Sequence, residues 1–353
     1  MENYSAIFID INSTIISAMV KMDDVRKKLL IVVENERYHG LISIGDIQRA
    51  ILKNSDLNEP ISSILRKDIL VANPDMSTEE IKNLMLKIRA EFMPIITKDG
   101  AIVEILFWED LFGDRSKVGY PNLNLPVVIM AGGKGTRLKP LTNVIPKPLI
   151  PISEKTIIEE IMDRFVNVGC KDFYLSINYK ASTIISYFEE LNNSKYRIEY
   201  FQEKMPLGTG GSLHLLKNKL TSTFFVTNCD IIIDQDLQEV YNYHLESKND
   251  ITIVSSLKQY SIPYGTIITG ENGCLKEMTE KPNITYQINT GVYILEPHVL
   301  SYIPENEFFH ITELIDLVIK NSGSVGVFPI SEGAWNDIGE WNEYLKFINI
   351  YKN

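Results

Sequence analysis

The chain has 353 residues, 44% of them hydrophobic and 23% charged, with a formal net charge of -11; it is long enough for two hydrophobic cores and too apolar for a disordered polymer. The negative charge is spread evenly, 14 basic against 19 acidic side chains up to residue 115 and 21 against 27 beyond it. Neither part is therefore a nucleic-acid platform, and an anionic ligand has to be held by a few placed cations, backbone amides or a metal.

Cys170, Cys229 and Cys274 are scattered and form no CxxC pair, which argues against a disulfide framework or a zinc knuckle. The start MENYSAIFID has no basic n-region and no apolar run approaches a bilayer span. A cytoplasmic protein without membrane or nucleic-acid partners is expected.

The first 115 residues repeat with an offset of 64. Ser13-Thr14 superposes on Ser77-Thr78, Leu30-Ile31-Val32 on Pro94-Ile95-Ile96, and Ile44-Gly45-Asp46-Ile47 on Trp108-Glu109-Asp110-Leu111. Each unit reads as a Ser-Thr N-cap, an amphipathic helix, two strands and a helix opened by the aspartate. This pattern resembles a tandem pair of cystathionine-β-synthase-type (CBS) modules, an α+β domain of residues 1–115. The resemblance implies clefts that take an adenine nucleotide, with Ser43 and Asp46 gripping a ribose in one and Asp110 in the other. Helix capping alone also explains both aspartates, and Phe107 and Trp108 replace small polar residues and are expected to fill the second cleft.

"RSKVGYPNLNLP" reads as a linker over residues 116–125, and a second domain follows over 126–353. "LPVVIMA" is an unbroken apolar run, as in a strand covered on both faces. Beyond it, "TIIEEIMDRFVNVG", "ASTIISYFEEL", "GSLHLLKNKL" and "LQEVYNYHLESK" read as helices. They alternate with the strands "KDFYLSIN", "RIEYFQE" and "FFVTNCDIII". That alternation predicts a doubly wound α/β sheet with ligands at the carboxyl ends of its strands.

The glycine-rich loop after the first strand, "MAGGKGTRLKPLTNVIPKPLIPI", lies at that end. Gly132, Gly133 and Gly135 allow backbone N–H groups to converge on one anion. It is neither a P-loop, since Gly135 precedes Thr136 and Arg137, nor a dinucleotide loop, since Leu138 stands where the third glycine belongs. The stretch resembles the signature of the sugar-1-phosphate nucleotidylyltransferases, with a Rossmann-like, GT-A-like sheet. In that family the loop wraps a triphosphate, which implies nucleotide contacts at Ala131, Gly132, Gly133, Gly135 and Thr136. The arginine and the lysine of PKP neutralise phosphate, which implies catalytic roles for Arg137 and Lys147.

The same resemblance implies a Mg2+ cofactor held by Asp230, at the end of "FFVTNCDIII", and Asp337, in "AWNDIG"; Asp230 thereby also counts as catalytic. It implies further nucleotide contacts at Gly208, Thr209 and Gly210 of "PLGTGGSL", where a side chain would collide with base or sugar. Glu203 is expected to contact the base or support that loop. Sugar-phosphate contacts are implied at Tyr264, Gly265, Glu280, Lys281, Asn289 and Thr290. The histidines and Cys229 read as packing or surface residues. The tail "EWNEYLKFINIYK" reads as an amphipathic helix with Trp341, Tyr344, Leu345 and Ile348 on one face.

Taken together the two modules most closely resemble the CBS-linked glucosamine-1-phosphate guanylyltransferases of legionaminic acid biosynthesis. GTP and glucosamine-1-phosphate are therefore the favoured substrates, and a homo-oligomer is expected. Mannose- or heptose-1-phosphate guanylyltransferases and thymidylyl or uridylyl enzymes share nearly all of these motifs. A non-catalytic, nucleotide-sugar-sensing subunit is the alternative from another class, although such subunits typically lose one of the four residues Arg137, Lys147, Asp230 and Asp337.

Overall fold

The computed structural model describes residues 4–66, 69–88, 90–112, 122–203 and 205–350. The chain forms two compact units, Met1–Gly119 and Tyr120–Asn353. Among the described residues no helix is long and apolar enough to cross a membrane.

The first unit contains β1 (Phe8–Asp10), α1 (Ile15–Val25), β2 (Leu29–Glu34), β3 (Arg37–Ser43), α2 (Ile44–Leu52), α3 (Thr78–Ile88), β4 (Phe92–Ile96), β5 (Ile102–Phe107) and α4 (Trp108–Phe112). Parallel pairing of Ile9 with Val32 recurs as an isolated bridge between Ala72 and Ile95. The antiparallel pair Val32 and Gly40 recurs as Ile95 and Glu104.

These equivalences correct the uniform offset of 64. The offset is 63 through β4, with Thr14 capping α1 and Ser77 bonding Glu80 in the same way at the start of α3. It becomes 64 from β5 onward. The extra residue sits in the second hairpin turn: four residues separate the paired Val33 and Tyr38, and five separate Ile96 and Ile102. The first hairpin turns tightly over Asn35 and Glu36, both at positive φ, as two-residue turns require.

The aspartates do not open their helices. Ser43 is the N-cap of α2, and Asp46 is the third helical residue, closing a capping box with it; Asp110 holds the same place in α4. The serine hydroxyl stands at the right distance for the N3 amide, so the carboxylate can reach back to the cap N–H.

In the second unit the elements are β6 (Val127–Met130), α5 (Leu141–Val144), β7 (Pro151–Ile152), β8 (Lys155–Thr156), α6 (Ile157–Asn167), β9 (Asp172–Ile177), α7 (Ala181–Leu191), β10 (Arg197–Gln202), α8 (Gly208–Gly211) and β11 (Phe224–Asn228). They continue with β12 (Ile231–Ile233), α9 (Leu237–Glu246), β13 (Ile251–Ser261), β14 (Thr266–Thr269), β15 (Leu275–Thr279), β16 (Asn283–Leu295), α10 (Ile311–Lys320), β17 (Val325–Ile330), β18 (Trp335–Asp337) and α11 (Trp341–Ile350).

One sheet of seven strands runs β10-β9-β6-β11-β16-β13-β17. All its pairings are parallel except the two made by β16. Val127 and Ile129 of β6 enter the core on one face and Val128 the core on the other, so the uninterrupted apolar run is that of a strand covered on both sides. After β6 the chain builds β9 and β10 to one side, then crosses to β11 on the other. The crevice between the ends of β6 and β11 is thus a topological switch point, where open α/β sheets hold ligands.

Four local expectations change. "FFVTNCDIII" is broken at Cys229-Asp230: β11 stays in the large sheet, whereas β12 leaves it to pair with β18. "GSLHLLKNKL" is not a regular helix: the single α-turn α8 ends at its first residue, Gly211, and a 3-10 turn over Ser212–Leu216 follows, in keeping with the poor helix propensity of the glycines at 208, 210 and 211. Of the expected linker, residues 116–121 lie outside the described residues. Asn122 to Leu125 belong to the second unit, where Leu125 is buried and Leu123 N–H donates to Val168 C=O. In α11, Tyr344 and Phe347 face inward and Leu345 is exposed.

Candidate active site

The loop leaving β6 is tied down at its root and open at its tip. Ala131 N–H donates to Ser176 C=O, which takes that amide out of the set expected to meet a phosphate. The N–H groups of Gly132, Gly133, Lys134, Gly135 and Thr136 donate to no described residue, and nothing stands within 4 Å of a Cβ placed on Gly133. Such a run of uncommitted amides supplies the donors that a backbone anion site uses. Gly135 has φ +61°, and a Cβ there would lie 2.8 Å from Thr142 Cγ2 and 2.9 Å from Lys147 Cβ. Only glycine lets the loop pack against the stalk of the lysine.

Lys147 and Asp230 are both buried, and Lys147 Nζ donates to Asp230 Oδ2. The break between β11 and β12 delivers the aspartate to this point, and Pro146 and Pro148 fix the backbone of the lysine. Asp337 arrives from β18, which pairs with β12 so that Ile231 and Asp337 are partners and Ile338 N–H donates to Asp230 C=O. A Cβ on Gly339 would meet Asp230 Oδ2 at 2.5 Å, Asp337 Oδ1 at 2.8 Å and Lys147 Nζ at 3.0 Å. Three charged groups from three separate segments therefore surround one missing side chain.

The fields are unequal. Burial and the neighbouring charge of Asp230 raise the Asp337 carboxyl above the ordinary aspartate range. Arg137 lies on the rim, its Nη1 2.8 Å from Glu340 Oε1 and its Nη2 3.9 Å from Asp230 Oδ2. The hydrogen bond it donates to Glu340 is the main cause of its further raised pKa. Burial pushes the Cys229 thiol up to about 12, so it is a packed neutral side chain beside the site.

Other expected residues are placed differently. The collisions that require glycine at 208, 210 and 211 are with the chain's own backbone: Phe309 C=O at 2.7 Å, Ile311 N at 2.8 Å and Glu307 C=O at 2.7 Å. Thr209 Oγ1 accepts from Ile311 N–H, and Gly210 and Gly211 N–H both donate to Phe309 C=O. This stretch is a weld between α8 and the start of α10. Glu203 is buried and accepts from Leu207 N–H and Ser176 Oγ, so it supports that stretch. Thr290 is buried and donates to Val254 C=O, which takes its hydroxyl proton away from any sugar phosphate.

Gly265 and Glu280 do meet, with Glu280 Oε2 2.9 Å from a Gly265 Cβ. Tyr264 and Lys281 are exposed nearby on the β14–β15 hairpin segment, and Asn289 Oδ1 accepts from Gly291 N–H. No hydrogen bond or ion pair among the described residues joins these to Arg137, Lys147, Asp230 or Asp337.

Two residues were missed. Glu340 pairs with Arg137, and Trp341 Nε1 donates to Lys139 C=O at 2.7 Å. Both directly follow "AWNDIG", and the signal available was that motif's proximity to a charged and an aromatic residue.

In the first unit Asp46 is buried, bonded to Ser43 N–H and Oγ, and paired with Arg49 and with Arg66 Nε at 2.8 Å. Asp110 is exposed. Trp108 is buried against Phe112, and Phe107 packs on Tyr4 and Phe92.

Residues 126–353 match the model of the nucleotidyl transferase family. The chain belongs to that family. Residues 3–53 and 61–114 match the CBS domain. Among curated proteins this nucleotidyl transferase is similar to the mannose-1-phosphate guanylyltransferase catalytic subunit beta of Drosophila melanogaster, 32% identical over 237 residues, 64% of this chain and 62% of the relative. It is also similar to mannose-1-phosphate guanylyltransferase 1 of Arabidopsis thaliana, 29% identical over 235 residues, 64% of each chain. The chain thus spans somewhat under two thirds of the length of these relatives. Among solved structures it resembles HddC from Yersinia pseudotuberculosis, 29% identical with a TM-score of 0.52, covering 64% of this chain and 99% of that one. HddC is also known complexed with GMP-PN.

Proposed function

We propose that the second unit is a sugar-1-phosphate guanylyltransferase. An oxygen of the sugar phosphate attacks the α-phosphorus of GTP in line, the bond to the bridging oxygen breaks, and pyrophosphate leaves with the electron pair. The substrate brings its own nucleophile, so the protein has to position two polyanions and neutralise growing charge. The observation that carries this reading is the convergence of Lys147, Asp230 and Asp337 around Gly339 beside a loop of uncommitted amides. Gly132 to Thr136 cradle the phosphates, Arg137 and Lys147 supply positive charge, and the β14–β15 segment with Gly265 and Glu280 takes the sugar.

Among the described residues no group of three or more His, Cys, Asp or Glu side chains could hold a metal. Magnesium does not need one, because it retains waters and is held by one or two carboxylates plus substrate phosphate. Asp230 and Asp337 fit that ion, since their carboxylate oxygens lie 2.5 and 2.8 Å from one point, the place of a Cβ on Gly339. When bound, the ion supplies charge neutralisation at the phosphates.

Glucosamine-1-phosphate is the favoured acceptor, on the resemblance carried by a CBS pair preceding this domain; legionaminic acid biosynthesis is the setting that resemblance suggests. Mannose-1-phosphate is the second reading, favoured by the names of the curated relatives. The guanine preference is supported by those names and by the HddC complex with GMP-PN. For the CBS pair we propose an adenine nucleotide at Asp46, whose ribose would displace an arginine from that carboxylate, and for the chain a homo-oligomer.

Pyrophosphate release, measured with magnesium over a panel of four nucleoside triphosphates and the two sugar phosphates, tests the reading. GTP with glucosamine-1-phosphate is expected to be fastest. Faster turnover of mannose-1-phosphate would exchange the two acceptors, and silence of every pair with retained nucleotide-sugar binding would make the protein a sensor. Calorimetry with ATP and AMP tests the CBS proposal, and light scattering the oligomer.

A further inference from the structure

Two adjacent residues, Glu340 just before α11 and Trp341 at its first position, hold the signature loop through their side chains. Glu340 accepts from the Arg137 side chain at 2.8 Å, and Trp341 Nε1 donates to the Lys139 carbonyl at 2.7 Å. Tyr344, one turn on, donates its hydroxyl to Pro151 C=O at 2.9 Å and is buried. The holds differ in kind. Those of Trp341 and Tyr344 are on backbone carbonyls and fix the path of the chain. That of Glu340 is on a side chain, and both members of this pair are more than half exposed, at 55% and 56%.

An exposed ion pair is weak and screened. A triphosphate brings several charges and many acceptor oxygens to the same guanidinium, which prefers planar, bidentate oxyanions. The carboxylate is thus strong enough to hold Arg137 over Asp230 when the loop is empty and too weak to keep it once phosphate arrives. The backbone anchors at Lys139 and Pro151 let that side chain swing without moving the loop.

We propose that Glu340 is a positioning residue that parks Arg137 beside Asp230 in the free protein and competes with the incoming triphosphate for it. This rests on the reading of the loop as a triphosphate cradle. Glu340→Gln then removes a competitor, and the variant binds polyphosphate more tightly than the natural chain. The gain is about 5-fold at most, equivalent to about 1 kcal/mol at 1.4 kcal/mol per tenfold. A merely structural role predicts the opposite sign, because loosening the loop weakens binding.

The test is calorimetric binding of GTP and of inorganic tripolyphosphate to the full chain with magnesium, for the natural protein, Glu340→Gln and Glu343→Gln. Glu343 lies in α11, three residues after Glu340, and pairs with Lys346, so its substitution makes the same change in net charge without touching Arg137. Tighter binding of both probes by Glu340→Gln alone, shrinking as salt is added, is the expected result. Equal gains in the two variants, or weaker or unchanged binding in Glu340→Gln, overturn the proposal. Tripolyphosphate carries no base, so a wrong guanine assignment leaves its arm intact. If the natural chain binds neither probe, the cradle reading falls and the role of Glu340 with it.

Discussion

Lys147 and Asp230, 83 residues apart in the chain, form an ion pair with each side chain only 10% exposed. Two charges taken out of water in this way are tolerable only together. Breaking such a pair by removing one member costs about 3–5 kcal/mol, whereas replacing both with neutral groups of similar shape is often harmless.

Lys147→Met and Asp230→Asn are therefore each expected to lower unfolding free energy by roughly 3 kcal/mol, and the double variant to recover most of that loss. Turnover should fall at least about 100-fold in all three, the scale of removing one charge-stabilising group. Urea denaturation and pyrophosphate release check the two arms. Additive stability losses would mean that the pair is not coupled.

Asp337 carries a raised carboxyl pKa through burial and the charge of Asp230. The folded chain thus holds this proton more tightly than the unfolded chain does. Its effect favours folding below the unfolded aspartate value and is lost as pH rises through the folded one. Asp337→Asn keeps an oxygen to accept from Gly339 N–H, bonded to Asp337 Oδ1 at 2.9 Å, and removes the repulsion. It is expected to raise the melting temperature at neutral pH, to give no gain in acid, and to abolish turnover. Magnesium should raise the melting temperature of the natural chain more than that of the variant. Thermal melts across pH, with and without magnesium, decide this.

Gly133 and Gly135 separate cradle from scaffold. At Gly135 the positive φ and contacts of 2.8 and 2.9 Å predict that alanine costs more than about 1 kcal/mol of stability. At Gly133, where a Cβ meets nothing within 4 Å, alanine should leave the melting temperature unchanged and raise the KM for triphosphate. Equal effects of the two substitutions on stability would contradict this division.

Gly210→Ala is expected to destabilise the fold, since its Cβ would sit 2.8 Å from Ile311 N. If this stretch instead touched the nucleotide, the variant would melt normally and lose only affinity. Melting and GTP titration on one sample distinguish the two.

Much of this site was legible because its chemistry is local. A glycine-rich loop after an apolar strand, an arginine and a proline-flanked lysine lie within 20 residues of one another, and the doubly wound sheet predicted from αβ alternation puts that loop at the carboxyl end of its strand, where the structure has it. What was not legible depends on contacts between distant segments. The glycines of α8 carry the same letters whether they admit a ligand or the backbone of Phe309, and Thr290 reads as a ligand until its hydroxyl is seen on Val254. Glu340 gains its meaning only from Arg137, 203 residues earlier. In the repeats, capping and pairing fixed the true offset, which the letters alone placed one residue out.

The single added residue in the second hairpin of the first unit has a further bearing on how tandem copies diverge. Neighbouring positions along a pleated segment point to opposite sides, so an insertion within β4 or β5 would have turned every inward side chain outward. Placed in the bend beside Gly100, it left Met93 and Ile105 inside. Length drift between duplicated halves can therefore accumulate at bends while their interiors stay interchangeable, and a chimaera exchanging one half's hairpin for the other's should still fold.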